Sequence, residues 1–185
     1  MKATEFEQFE ILFKISKLRE KKKELAKKLK KLEKDGRGLS DTDVKAELTK
    51  IKEISKFSNE NIKKLKERLS EGFDLYGIIK KRKEIINLIK KLKKEKRKRI
   101  EILQYLQQLD NLNEKLNVIN EIAENYFEKL REDLIKIEDE RLKLKKNKGK
   151  YPKTEYKSLV GGIEDKKKKL REKLAFLKND VFSVK

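Results

Sequence analysis

The sequence predicts an all-α protein: four to five long helices arranged as antiparallel coiled-coil helical hairpins or an elongated helical bundle. Three observations carry that expectation. First, only 36% of the 185 residues are hydrophobic while 46% are charged; a compact two-layer domain is roughly 45–50% apolar and about 25% charged. Second, the apolar residues are mostly Leu and Ile and recur in alternating steps of three and four. That is the heptad spacing of a narrow seam between helices, and chains that are merely charged and disordered do not keep it. Third, breakers are sparse: seven Gly and one Pro, with neither type between Gly77 and Gly149.

The first helix is expected from about Thr4 to Lys34, with Ile11, Ile15, Leu18, Leu25, Leu29 and Leu32 on its seam and Lys22 filling one slot. Gly36 and Gly38 in DGRGLSDTD supply a stop, and Ser40 is a good N-cap for the next helix. The second helix, about Asp41 to Leu69, places Val44, Leu48, Ile51, Ile62, Leu65 and Leu69 on one seam. Ser55 and Ser58 weaken its middle, while Ile54 and Phe57 sit one position off. The short connection between helices of similar length favours an antiparallel hairpin over residues 1–70.

SEGFDLYG, residues 70–77, is the second turn. Residues 78–185 are then expected to form a long basic central helix followed by a C-terminal hairpin, the whole chain making one elongated unit. The seam resumes through Ile78, Ile85, Ile89 and Leu92. It returns at Leu103, Leu106, Leu109, Leu112, Leu116, Ile119, Ala123, Tyr126, Leu130, Leu134 and Ile137. Either one helix runs from 78 to 147, or the chain bends near Asp110-Asn111, where both residues favour turns. KNKGKYPK, with Gly149 and Pro152, ends it, and a last helix follows from about Lys153 to Lys178. LSDTDVK at 39–45 and YPKTEYK at 151–157 share one helix-starting template, as duplication or as reuse of good capping chemistry.

Charge is distributed unevenly. The chain has 53 Lys or Arg against 33 Asp or Glu, a net +20, which favours polyanionic partners. Compositional drift would raise Lys without gathering it, yet residues 80–99 hold twelve bases and two acids. KKLKKEKRKR at 90–99 has no apolar residue after Leu92. The candidate phosphate-contacting residues are Lys80, Lys81, Arg82, Lys83, Lys90, Lys91, Lys93, Lys94, Lys96, Arg97, Lys98 and Arg99. A second candidate patch is Lys145, Lys146, Lys148 and Lys150, around a Gly-containing loop whose amides could help hold phosphate. Two other accounts compete: Lys stems lying along a neighbouring helix, and pairing with residues 111–142, which carry nine acids against five bases. A third run, Lys166–Lys169, is expected to face solvent.

Phe6, Phe9 and Phe13 fall on one helical face, as core or as a docking face for a partner helix. No aromatic residue lies within 80–99, so contact with nucleic acid should be to phosphates and shape, with little base readout. Cys and His are both absent, which removes disulfides, thiolate chemistry, the commonest general base and the commonest metal ligand. No metal or other cofactor is expected. A membrane surface calls for a basic face opposite large apolar residues, a pattern that 93–99 lacks. No transmembrane run or signal peptide is seen, so a cytoplasmic location is expected. The expected function is non-catalytic binding of DNA or RNA through the phosphate backbone, or membership of a nucleoprotein assembly. The alternative is a structural scaffold or adaptor that docks partner protein helices or a second copy through its seams.

Overall fold

A computed structural model of the chain describes residues 3–35, 41–70, 72–94 and 99–183, with the backbone alone at 33, 35 and 41–43. Five helices account for it: α1 (Glu5–Asp35), α2 (Asp41–Glu67), α3 (Leu75–Lys94), α4 (Arg99–Lys146) and α5 (Lys153–Phe176). They pack against one another, and no strand occurs among the described residues. The chain divides into two compact units, residues 1–74 and 75–185.

In the first unit α1 packs against α2. The start of α1 carries one half of a capping box: the Glu7 carboxylate accepts from the Thr4 backbone N–H at 2.8 Å and from its hydroxyl at 3.0 Å, satisfying a backbone donor at the helix start. The backbone bond from Thr4, before any other cause, holds the Glu7 carboxyl below its ordinary range. Burial is concentrated at this end. Phe9, Ile11, Leu12 and Ile15 are buried, as are Leu69 and Phe73 beyond α2; Ile51, farther along α2, is buried too. The seam residues Leu18, Leu25, Leu29 and Leu32 are only half-buried.

Two of the three polar slots of the expected seam, Lys22 and Ser58, have partners. Lys22 donates to Asn59 Oδ1 at 2.7 Å, and the buried Ser58 hydroxyl donates to the Ile54 carbonyl at 2.8 Å. Ile54 and Phe57, one position off the seam, are exposed. Gly36, Gly38 and Ser40 lie outside the described residues.

The segment after α2 is held by a buried glutamine. Gln8 Oε1 accepts from the Ser70 N–H at 3.1 Å and from its hydroxyl at 2.6 Å, while Gln8 Nε2 donates to the Ala3 carbonyl at 3.3 Å. Gly72 has φ 90°, a conformation that a side chain disfavours. The next residue, Phe73, sets its ring edge-on to Phe9, with centroids 5.1 Å apart.

In the second unit α4 packs against α3 and α5. At 48 residues α4 is about 72 Å long. Asp110 and Asn111 lie inside it, so the chain does not bend there, and no single helix spans 78–147: α3 ends at Lys94 and α4 begins at Arg99. The seam of α4 is buried from Leu116 through Ile119, Ala123, Tyr126 and Leu130. Its first part is open, with Leu103 and Leu106 exposed.

The chain after α5 continues as a wider π-helical turn, Leu177–Val181. Leu177 and Val181 are buried there, and Phe182 meets Phe127 edge-on at 5.9 Å. Lys167 corrects an expectation: it does not face solvent with Lys166, Lys168 and Lys169 but is buried, its Nζ 2.8 Å from Glu138 Oε1. Nearby, Arg141 Nε meets Glu164 at 2.9 Å. The Lys167 hydrogen bond and charge, then Arg171 and Arg141, hold the Glu138 carboxyl below its ordinary range.

Candidate nucleic-acid interface

Helix α3 is divided lengthwise. Leu75, Ile78, Ile89 and Leu92 are buried on one face. Lys80, Lys83, Asn87, Lys90, Lys91 and Lys94 follow the same helical period on the opposite face, and all are exposed. From Lys80 to Lys94 this stripe runs about 21 Å along the axis. Its five lysines share the face with Asn87, and Glu84 borders it.

Lys80 alone on α3 has an acidic partner among the described residues, Glu84 at 3.9 Å, and both side chains are well exposed. Such a pair contributes on the order of 0.3–0.5 kcal/mol.

The other candidates on α3 leave the stripe. Arg82 is half-buried, and its Nε has no hydrogen-bond acceptor among the described residues. Lys81 faces α4 across a cleft of about 510 Å³ shared with Gln104, Gln107, Gln108, Asn111 and Lys115. Lys93 is exposed but lies round the helix from the stripe. Arg99 opens α4 and is exposed. Lys96, Arg97 and Lys98 lie outside the described residues.

Pairing with the acidic region is not what occupies these bases. The residues of α4 beside α3 in the cleft carry amides, not carboxylates. The acids farther along pair elsewhere: Glu128 with Arg131, Asp133 with Lys136 and Glu138 with Lys167. Among the described residues no ion pair joins α3 to α4.

The second patch is separate. Lys145 and Lys146 end α4, Lys148 and Lys150 lie in a 3₁₀ turn, and all four are exposed. Lys145 is 46 residues after Arg99, about 69 Å along the α4 axis, so the structure does not bring the two patches together. The loop is not an open amide cradle. The Lys150 N–H is bonded to the Asn147 carbonyl at 2.9 Å and the Tyr151 N–H to the Lys148 carbonyl at 3.4 Å. Lys148 Nζ stands 5.7 Å from the Tyr156 ring centroid.

The three phenylalanines also divide. Phe9 is fully buried and belongs to the core, which corrects its assignment as a docking residue. Phe6 and Phe13 are half-buried. Sequence reasoning missed the amide-lined cleft beside Lys81 and the exposed Ile100, Leu103 and Leu106, which are 66%, 50% and 38% accessible. It took the last two as buried seam.

No protein-family model, curated protein or solved structure matches this chain. Among the described residues no helix is long and apolar enough to cross a membrane.

Proposed function

We propose that this is a non-catalytic nucleic-acid-binding protein, or a subunit of a nucleoprotein assembly, that grips phosphates through α3 and the residues joining it to α4. One observation carries the reading: the exposed stripe Lys80, Lys83, Lys90, Lys91 and Lys94, whose charge is almost wholly uncompensated among the described residues. Lysine reads charge and not base edges, so binding is largely independent of sequence.

The scaffold beneath this reading is a set of antiparallel hairpins with coiled-coil-like seams. It is supported by contacts whose residue numbers rise on one helix as they fall on the other: Gln8 with Ser70 and Lys22 with Asn59, then Glu138 with Lys167 and Arg141 with Glu164.

The test is a titration of nuclease-treated protein with random-sequence duplexes and single strands at several salt concentrations. Replacing Lys80, Lys83, Lys90, Lys91 and Lys94 with Gln should weaken binding and flatten its salt dependence while helicity holds. Gln is nearly as good a helix former as Lys. Binding that is absent at physiological salt, or indifferent to these five lysines, refutes the reading.

A second reading, a scaffold that docks partner helices, is favoured by the exposed Ile100, Leu103 and Leu106 at the open start of α4. It predicts a protein partner whose binding is lost on Leu103→Asp and unaffected by the Gln replacements.

A further inference from the structure

Away from the basic face, two surfaces of the chain are complementary. The first is a groove of about 560 Å³ in the first unit, lined by α1 and the end of α2. Phe13, Leu18 and Leu65, all half-buried, give it an apolar lining. Lys14, Lys17, Lys64 and Arg68 border it, and no acid does. Lys17 lies across the lining, its Nζ 5.6 Å from the Phe13 ring centroid.

The second surface is the outer face of α4. Glu121, Glu124, Glu128, Glu132 and Asp139 recur in helical register there, all exposed, with Glu128 also paired with Arg131 at 3.1 Å. Ile135 and Leu142 share that face and are 61% and 57% accessible. Single exposed apolar residues are ordinary. Here two of them stand among five acids on one helix face, and the groove has apolar residues among four bases.

We propose that the Glu121–Leu142 face of α4 in one copy of this chain docks into the α1–α2 groove of another copy. Ile135 and Leu142 meet the Phe13–Leu18–Leu65 lining, and the acids meet the lysine rim. The net charge of +20 makes two copies repel at long range. At physiological ionic strength that repulsion is screened beyond about 8 Å, whereas charges in contact are screened much less. The two surfaces differ, so the contact is isologous if two copies reciprocate it about a two-fold axis and heterologous if it continues head to tail.

The test is sedimentation velocity on the nuclease-treated full chain over a concentration series. A groove variant carries Lys14→Glu, Lys17→Glu and Lys64→Glu; a stripe variant carries Glu124→Lys, Glu128→Lys and Glu132→Lys. All six positions are exposed, and circular dichroism confirms that each variant keeps its helicity. The wild type should self-associate, and each variant alone should do so more weakly by roughly tenfold or more. An equimolar mixture of the two should associate again, because the reversed groove of one matches the reversed stripe of the other. Ile135→Ser with Leu142→Ser should weaken association without any change of charge. A wild type that is monomeric throughout overturns the proposal. So does association that only nucleic acid supports, that ignores both reversals, or that the mixture fails to restore.

Discussion

Replacing Lys80, Lys83, Lys90, Lys91 and Lys94 with Gln removes the stripe without touching a buried residue of α3. The stripe is about 21 Å long, and duplex DNA carries one charge per roughly 1.7 Å of axis, so that length of duplex holds about twelve phosphates around its circumference, roughly half of them on the side facing the stripe. Five lysines can therefore each find one. Five neutralised phosphates give a slope of log affinity against log salt of about −4.5, which is a roughly 500-fold loss between 50 and 200 mM salt. Fluorescence anisotropy with a labelled random duplex measures that slope. The five-Gln variant should lose most of it, keeping only what the connecting residues and the Lys145–Lys150 patch contribute. Its melting temperature should barely move, because the single ion pair lost, Lys80–Glu84, is exposed and long. A variant that binds with the wild-type slope would refute the assignment of phosphate contact to this face. A variant that loses helicity would show that the lysines hold α3 in place.

Three further outcomes follow from the packing. Gly161 and Gly162 lie inside α5, and a Cβ at either would meet nothing within 4 Å; Gly161→Ala and Gly162→Ala should each stabilise by about 0.5–1 kcal/mol in urea melts. Ile119→Asp places a charge at a fully buried slot and should unfold the second unit by circular dichroism, whereas Leu103→Asp, at an open slot, should leave helicity and melting unchanged. The lowered Glu138 pKa contributes stability that is present above the ordinary glutamate range and is lost as pH falls through and below it. Thermal melts of Lys167→Met against wild type should show that acid dependence flattened.

Much of the architecture was legible in the sequence because the stops are chemically plain. Pro152 precedes α5, and Gly72 takes the conformation that ends the second turn. The packing of α3 back on α4 was not legible. Lys, Glu and Arg are all good helix formers, so KKEKRKR reads as the middle of one helix, whereas Lys81 of α3 and Gln104 of α4 line the same cleft. Asp110 and Asn111 misled in the opposite direction: poor local propensity is overridden where flanking residues such as Leu116 are buried against neighbours.

Burial of Lys167 had a signal that a run of four lysines concealed. Tyr156, Val160, Ile163, Lys167, Leu170, Leu174 and Leu177 keep steps of four and three, so the lysine occupies a seam slot. The lysine stripe could likewise be found by helical period, but that no acid of α4 pairs with it among the described residues is a tertiary fact. The sequence places an acidic region only a few turns away, and the fold pairs those acids within α4, as Glu128 with Arg131 and Asp133 with Lys136, or with α5, as Glu138 with Lys167.

The division of labour along α4 bears on how the second unit opens. α3 lies beside its residues 104–115, and α5 pairs with it at 138 and 141. Between them, the run from Leu116 to Leu130 is the most enclosed. Amide hydrogen exchange should therefore be slowest in that middle run and quicken toward both ends. Each flanking helix can then detach by subglobal opening while the centre stays shut. A ligand clamped on α3 would slow exchange at the Arg99 end of α4 and leave the Lys146 end as it was.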